Sequence, residues 1–239
     1  MIDNDLLHAH ARTRTLNVLI ACEESQAECL AFLRYGANAY SCDLQKARYR
    51  PDRHIIGDVR PLLHGGVQFI TEDGKGHRVP RWDLIVAHPP CTYLCKVGSP
   101  WLYVNPDKWV TIHARRVQVN AQRWQAMKDA RQFFYECLQA DADYVAVENP
   151  LPMACAQLPK PSTFIQPSWF GAKYTKKTLY WLRNLPPLMP ELEHPNPKEF
   201  AYASRGKYRS RTFTQVADAM ARQWLAYILD EKEGNSLAR

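Results

Sequence analysis

Four short apolar runs, each halting on a polar or proline-bearing corner, constrain this chain more than any other feature. They are Asn17–Ala21 (NVLIA), "AYSCDL" closing on Asp43, Leu84-Ile85-Val86-Ala87, and "DYVAVENP" closing on Glu148-Asn149. Runs that stay apolar on successive residues read as strands with both faces covered, the pattern of a mostly parallel sheet. Helical patterns lie between them. Ser25 stands where a cap is expected, ahead of a helix carrying Ala27, Leu30, Ala31 and Leu33 on one face, and Gly36 marks its end. Strands alternating with helices give an α/β fold, a Rossmann-like, mostly parallel sheet with helices on both faces. Open sheets of this kind hold ligands beyond the carboxyl ends of their strands, so the halting corners are where chemistry is expected.

The remaining segments fit around that frame. "HIIGDVRPLL" is a short apolar segment ending in Gly57-Asp58, and residues 64 to 80 carry the glycines and alternation of a hairpin insertion. Residues 97 to 113 lack clean periodicity. The spacing of Val117, Trp124, Met127, Ala130, Phe134 and Cys137 predicts a long helix from about Ala114 to Leu138. "KTLYWLRNLP" gives a strand between the proline-rich loops 151–167 and 186–210, and "FTQVADAMARQWLAYIL" a final amphipathic helix. The expected organisation is a polar lead-in over 1–15, one catalytic domain over 16–226 with insertions near 62–80 and 183–210, and a tail over 227–239.

Totals narrow the class. At 239 residues the chain holds one large α/β domain, and its formal charge of +7 is compatible with a polyanionic partner. No apolar run approaches the roughly 20 residues that span a bilayer. The start, "MIDNDLLHAHARTRT", is unlike a signal peptide. Seven scattered cysteines point to a reducing compartment. Cys91 and Cys95 form a CxxxC pair with no second pair at zinc spacing, so no metal is expected. A cytoplasmic protein of a bacterial or phage-infected cell, with no membrane partner, is the expectation.

The corners carry specific residues. Cys22-Glu23-Glu24, Asp43 and Asp58 end the early strands, and Asp43 follows Glu23 at roughly the 20-residue spacing of a ribose-binding acid. Asp58 suits an exocyclic amine; the plainer reading of the acids at all three strand ends is turn and cap residues. No G-x-G-x-x-G is present, which favours a nucleoside ligand without a pyrophosphate. Two later corners carry Cys91 and Glu148. A thiolate that adds to an electron-poor ring while a carboxyl group protonates a ring nitrogen fits cytosine: addition at carbon 6 makes carbon 5 nucleophilic towards a sulfonium methyl. Prolines before Cys91 and after Asn149 stiffen both corners.

The order "HPPC" then "ENP" resembles the PPC and ENV motifs of DNA (cytosine-5) methyltransferases. "VLIACEES" stands where that family has its first donor motif, "GDV" where it contacts adenine, and "FGAKYTKKTLYWL" where it has a turn and a basic strand. "SRTFTQVADAMARQWL" stands where it has a closing helix. The resemblance covers most of 16–226 and extends to compact methyltransferase-like proteins of phages. It implies the S-adenosylmethionine-dependent methyltransferase fold, with S-adenosylhomocysteine as product and a cytosine flipped out of double-stranded DNA. It further implies Cys91 as nucleophile beside Pro90, Glu148 as the ring-protonating acid, and Asn149 as a loop-fixing residue. Donor contacts would come from Ala21, Cys22, Glu23, Asp43, Leu44, Asp58, Val59 and Pro89. DNA contacts would come from Lys173, Lys176, Lys177, Thr178, Arg209 and Arg211, alongside Arg205 and Lys207.

Three departures stand out. "ACEESQ" lacks the family's glycines, "YTKKT" replaces its QxRxR strand, and the stretch before the last helix is too short for a full target-recognition domain. Either specificity is then very short or absent, or recognition falls to the 64–80 insertion, the 97–113 loop or a protein partner. His88 reads either as a tuner of the thiol or as a structural hydrogen-bonding residue, and Cys95 as a packing thiol. Trp101, Tyr103 and Trp109 read as core residues or as stacking partners for a flipped base. Competing activities are methylation of an exocyclic base amine, methylation of a free pyrimidine nucleotide, and an inactive DNA-binding decoy.

Overall fold

The computed structural model describes residues 14–192, 201–202 and 211–237. In chain order the elements are β1 (Asn17–Ala21), α1 (Ala27–Arg34), β2 (Asn38–Asp43), β3 (His54–Ile56), α2 (Arg60–Leu63), β4 (Gln68–Ile70), β5 (Gly76–Arg78) and β6 (Trp82–Ala87). There follow β7 (Lys108–Ile112), β8 (Arg115–Val119), α3 (Ala121–Leu138), β9 (Ala142–Asn149), β10 (Thr163–Ile165), β11 (Tyr174–Thr175), β12 (Thr178–Arg183), β13 (Ala201–Tyr202) and α4 (Thr214–Leu237).

Seven strands make one sheet in the order β10-β12-β9-β6-β1-β2-β3. β12 runs antiparallel to both its neighbours and the rest run parallel. This is a Rossmann-like, mostly parallel sheet with helices on both faces, as expected from the alternating pattern. Side chains alternate across the sheet because successive residues of a strand face opposite sides. Val18 and Ile20 join a core with Phe32 of α1 and Met220 and Trp224 of α4. Leu19 and Ala21 join the other core, with Met127 and Phe134 of α3 and Leu62 and Leu63 of α2. Gly36 (φ +86°) ends α1 as expected, adopting a backbone that a side chain would strain.

Local departures from the sequence reading have physical reasons. The helix predicted from Ala114 starts at Ala121, and 108–119 is instead a β7–β8 hairpin. "RRVQV" alternates with period two, and the Asn120 side chain caps α3 by accepting from the Arg123 N–H at 2.9 Å. The last helix continues to Leu237, beyond Leu229 where its apolar spacing ends. Ile228 is buried in the core, and the Lys232 ammonium lies 2.5 Å from the fully buried Asp83 carboxylate, which keeps the chain helical there. Among the described residues, no helix is long and apolar enough to cross a membrane.

Candidate active site at the carboxyl edge of the sheet

Parallel strands in register end at a common edge. Ala21 of β1 pairs with Ala87 of β6, and Ala87 with Val147 of β9, so His88 and Glu148 leave the sheet side by side. Because β12 is reversed, it enters the sheet at that same edge, with Leu179 opposite Asn149. Cys22, Asp43, Asp58, Cys91, Glu148, Lys176 and Thr178 are thereby gathered from six strand ends.

The Cys91 loop is tied down on three sides. The N–H groups of Leu94 and Cys95 both donate to the Cys91 carbonyl (3.0 and 2.9 Å), making one tight turn that starts at the thiol. Lys96 N donates to Leu151 O at 2.8 Å and Met153 N to Leu94 O at 2.7 Å, which fastens this loop to the one that follows Glu148. Arg123 of α3 donates to the carbonyls of Thr92 and Gly98 at 3.2 Å each. Gly98 is required by contact: a Cβ there would lie 2.6 Å from the Thr92 oxygen. Pro89 is buried and Pro90 exposed. Cys91 donates its hydrogen bond to Cys95, and this bond, burial and the Glu148 carboxylate all hold its thiol well above its ordinary value. Cys95 is shifted downward, first because it receives that bond and then because the backbone N–H groups of Gly98 and Val97 point at it. Cys95 is therefore the partner of the thiol rather than the packing residue expected.

Glu148 sits among charges. Its Oε2 lies 3.5 Å from His88 Nδ1, and His88 Nε2 lies 2.9 Å from Glu28 Oε2. Burial alone would lower the histidine's pKa, but the carboxylates of Glu28 and Glu148 outweigh it and hold the ring protonated well above its usual range. Burial would raise Glu148, yet Lys176 and His88 prevail and keep it below the ordinary carboxylate value. Oε1 of Glu148 is buried and has no hydrogen-bond partner among the described residues. Buried acceptors without partners are costly, so Oε1 is placed to accept from a further donor. Glu148, Lys176, Thr178, Tyr180, Arg211 and Thr212 line a shallow cleft that opens to solvent. Asn149 is buried and its amide donates to Pro150 O at 2.6 Å, bracing the corner.

The turn after β1 departs from expectation in two ways. Cys22 (φ +62°) and Gln26 (φ +57°) adopt the left-handed backbone without glycine, at a cost of about 1 kcal/mol each. The turn thus keeps the shape that the missing glycines would supply. Ser25 is not the principal cap of α1. The Glu23 carboxylate accepts from the N–H groups of Glu28 (2.7 Å) and Cys29 (3.2 Å), and burial followed by repulsion from Glu28 pushes it up to about 8. Glu23 is thus committed inside the protein, and its carboxylate is not free to grip a donor. Asp43 is half-buried and accepts from Gln45 N at 2.9 Å; Leu44 beside it is 77% exposed. Asp58 is exposed, and the Arg60 N–H and guanidinium hold it below its usual value. Val59 and Ala21 are buried. Cys22 feels the charge of both Asp43 and Asp58, so the three corners adjoin.

The basic residues divide. Lys176 acts electrostatically on both Cys91 and Glu148. Lys177 points elsewhere, over the Phe164 ring at 4.3 Å, and Lys173 is exposed. Thr178 is buried and donates to Lys176 O at 2.9 Å, fixing the lysine's backbone. Arg211 lies 3.1 Å from Glu24, and Thr212 donates to Glu28 at 2.6 Å, which brings the lead-in to α4 back onto the turn after β1. Arg205, Lys207 and Arg209 lie outside the described residues. Trp101, Tyr103 and Trp109 are exposed (61%, 49% and 54%), which excludes the core reading. Sequence reasoning missed Glu28, Gln26, Tyr180 and Thr212. Gln26 accepts from Tyr49 N and Arg50 N (3.0 and 2.7 Å) and donates to Arg50 O, stapling the loop after β2. The one available signal was an acid, Glu28, inside an otherwise apolar stretch of helix.

No protein-family model matches the chain, and no curated protein matches it. Among solved structures it is similar to a candidate DNA modification methyltransferase encoded within a prophage, from E. coli, with a TM-score of 0.42 and 14% sequence identity. The match covers 76% of this chain and 52% of that one, so the chain spans about half the length of that protein.

Proposed function

We propose that the chain transfers a methyl group from S-adenosylmethionine to carbon 5 of cytosine in double-stranded DNA, through a covalent bond to Cys91. The observation that carries this reading is the fastening of the Cys91 loop to the loop after Glu148, with the partnerless Oε1 of Glu148 buried at that corner. A donor fits the adjoining corners. Asp43 offers acceptors for ribose hydroxyls, exposed Leu44 an apolar surface for a purine, and Asp58 an acceptor for its amine, with Ala21, Cys22, Val59 and Pro89 as their framework. Bound there, the donor would supply the electrophilic methyl group.

The chain's own groups provide the rest. Cys91 rests as a thiol against Cys95, which is placed to take its proton as the sulfur bonds to ring carbon 6. Glu148 rests ionised, and the proton it needs for the ring nitrogen sits on His88, 3.5 Å away. Lys176 offsets negative charge at both groups. After carbon 5 is methylated, its proton passes to solvent water as the Cys91 sulfur is expelled, and the ring-nitrogen proton returns through Glu148 to His88, which restores the ring. His88 thus serves as a proton store and holds Glu148 in place.

Incubation with tritiated S-adenosylmethionine and either duplex DNA or dCMP, followed by nucleoside analysis, tests the assignment. Label in 5-methylcytosine from the duplex, abolished by Cys91→Ala and reduced at least about a hundredfold by Glu148→Gln, is expected. Label on an exocyclic amine, or full activity in Cys91→Ala, would overturn it.

A further inference from the structure

We infer that the outward face of the β7–β8 ribbon grips and reads duplex DNA for the site beneath it. This rests on the reading of that site as a DNA-modifying one, and it names the recognition surface that the short stretch before α4 leaves unassigned. The ribbon has two unlike faces. Val110, Ile112 and Val117 pack on the main core, with Val119 buried beside them. By the pairing of Trp109 with Gln118 and of Thr111 with Arg116, these four side chains share the opposite, exposed face. An isolated hairpin gains nothing from holding a tryptophan in water, yet Trp109 is 54% exposed, with the Arg116 guanidinium 4.9 Å from its ring centre.

Charge identifies the partner. Arg116 on the outward face, Lys108 and Arg115 at the core-side register positions opposite Val119 and Ile112, and Lys96 nearby are all exposed and make no ion pair among the described residues. Asp107 is the one acid between 96 and 119, and its carboxylate accepts from Ala121 N at 2.6 Å, at the start of α3. A surface of unpaired cations around planar rings suits a polyanion with stacked bases better than it suits a protein. A two-stranded ribbon also fits the major groove, which is about 12 Å wide. Arg116, Gln118 and Thr111 are residue types that read guanine, adenine and either base edge. Position completes the case. The ribbon is held at its foot by Asn120 N donating to Leu102 O at 2.8 Å, and Arg123 in the first turn of α3 holds the Cys91 loop. DNA seated on the ribbon is therefore tied to the same loop that carries the thiol.

The test is anisotropy of a fluorescein-labelled duplex over a salt series, without turnover, alongside methyl transfer and self-association by sedimentation. Trp109→Ala and Arg116→Ala should each weaken duplex binding about tenfold, and Arg116→Ala should lower the salt slope by about 1. Gln118→Ala should change the preference among duplexes more than the affinity. Melting temperature and donor binding should not move, because these side chains face solvent. Ribbon variants that bind and methylate DNA like the unaltered protein would overturn the inference while leaving the chemistry intact. Variants that lose only self-association would overturn it in favour of a protein contact. Ribbon-dependent binding with no methyl transfer would support the ribbon and count against the chemistry.

Discussion

A residue's chemistry here depends on what burial leaves it to bond with. The placement of Cys91, Glu148, Asp43 and Asp58 at one edge was legible in the sequence because each stands directly beyond an apolar strand, and an α/β sheet brings such positions together. His88, Glu28 and Gln26 were not, since their partners lie far along the chain and a buried polar pair leaves no local pattern. Glu23 was misread for the same reason: its acid looked like a ligand and serves as a helix cap. That assignment has a measurable consequence. The folded-state pKa of Glu23, about 8, lies above its ordinary 4.5, so its contribution to stability is complete below pH 4.5 and is lost as pH rises towards 8. Glu23→Gln keeps one of the two accepting oxygens, enough for the shorter bond from the Glu28 N–H, and removes the titration. Urea unfolding should then show a smaller stability loss between pH 5 and pH 8 than in the unaltered protein. An unchanged loss would show that another group governs this window.

At the scale of elements, the sheet and its main helices followed from hydrophobic spacing, whereas the segment between β6 and α3 did not. Residues 97 to 113 take in a 3-10 stretch over Lys96–Tyr103 and then the first strand of a hairpin, neither of which has the long repeat that marks a helix or a buried strand. The period of two in "RRVQV" was present but was overridden by the helical spacing of Val117 and Trp124. This segment matters because it holds the thiol. Gly98 touches the Thr92 carbonyl so closely that Gly98→Ala must displace the backbone, and the new methyl would also lie 3.1 Å from the Arg123 guanidinium. A shift of about 1 Å in a reacting group can cost a hundredfold in rate. Methyl transfer by Gly98→Ala should fall at least tenfold while donor binding by calorimetry stays as it was. Full activity in this variant would mean that the loop need not be held where it is.

Across the whole molecule, two loops far apart in sequence are brought together by strand register and then locked by backbone hydrogen bonds. The reversed β12 adds Lys176 to them, and α4, anchored at its far end by Lys232 on Asp83, returns Thr212 to Glu28. The functional claim depends on this convergence: the sulfur of Cys91 and the free oxygen of Glu148 must address one pyrimidine ring. A duplex carrying 5-fluorocytosine tests that directly, because methylation at carbon 5 leaves no proton to remove and the sulfur cannot be expelled. With S-adenosylmethionine present, a denaturation-stable protein–DNA adduct should form, mapped by peptide mass to Cys91 and missing in Cys91→Ala. Turnover on ordinary cytosine without any trapped adduct, or an adduct at another residue, would contradict it.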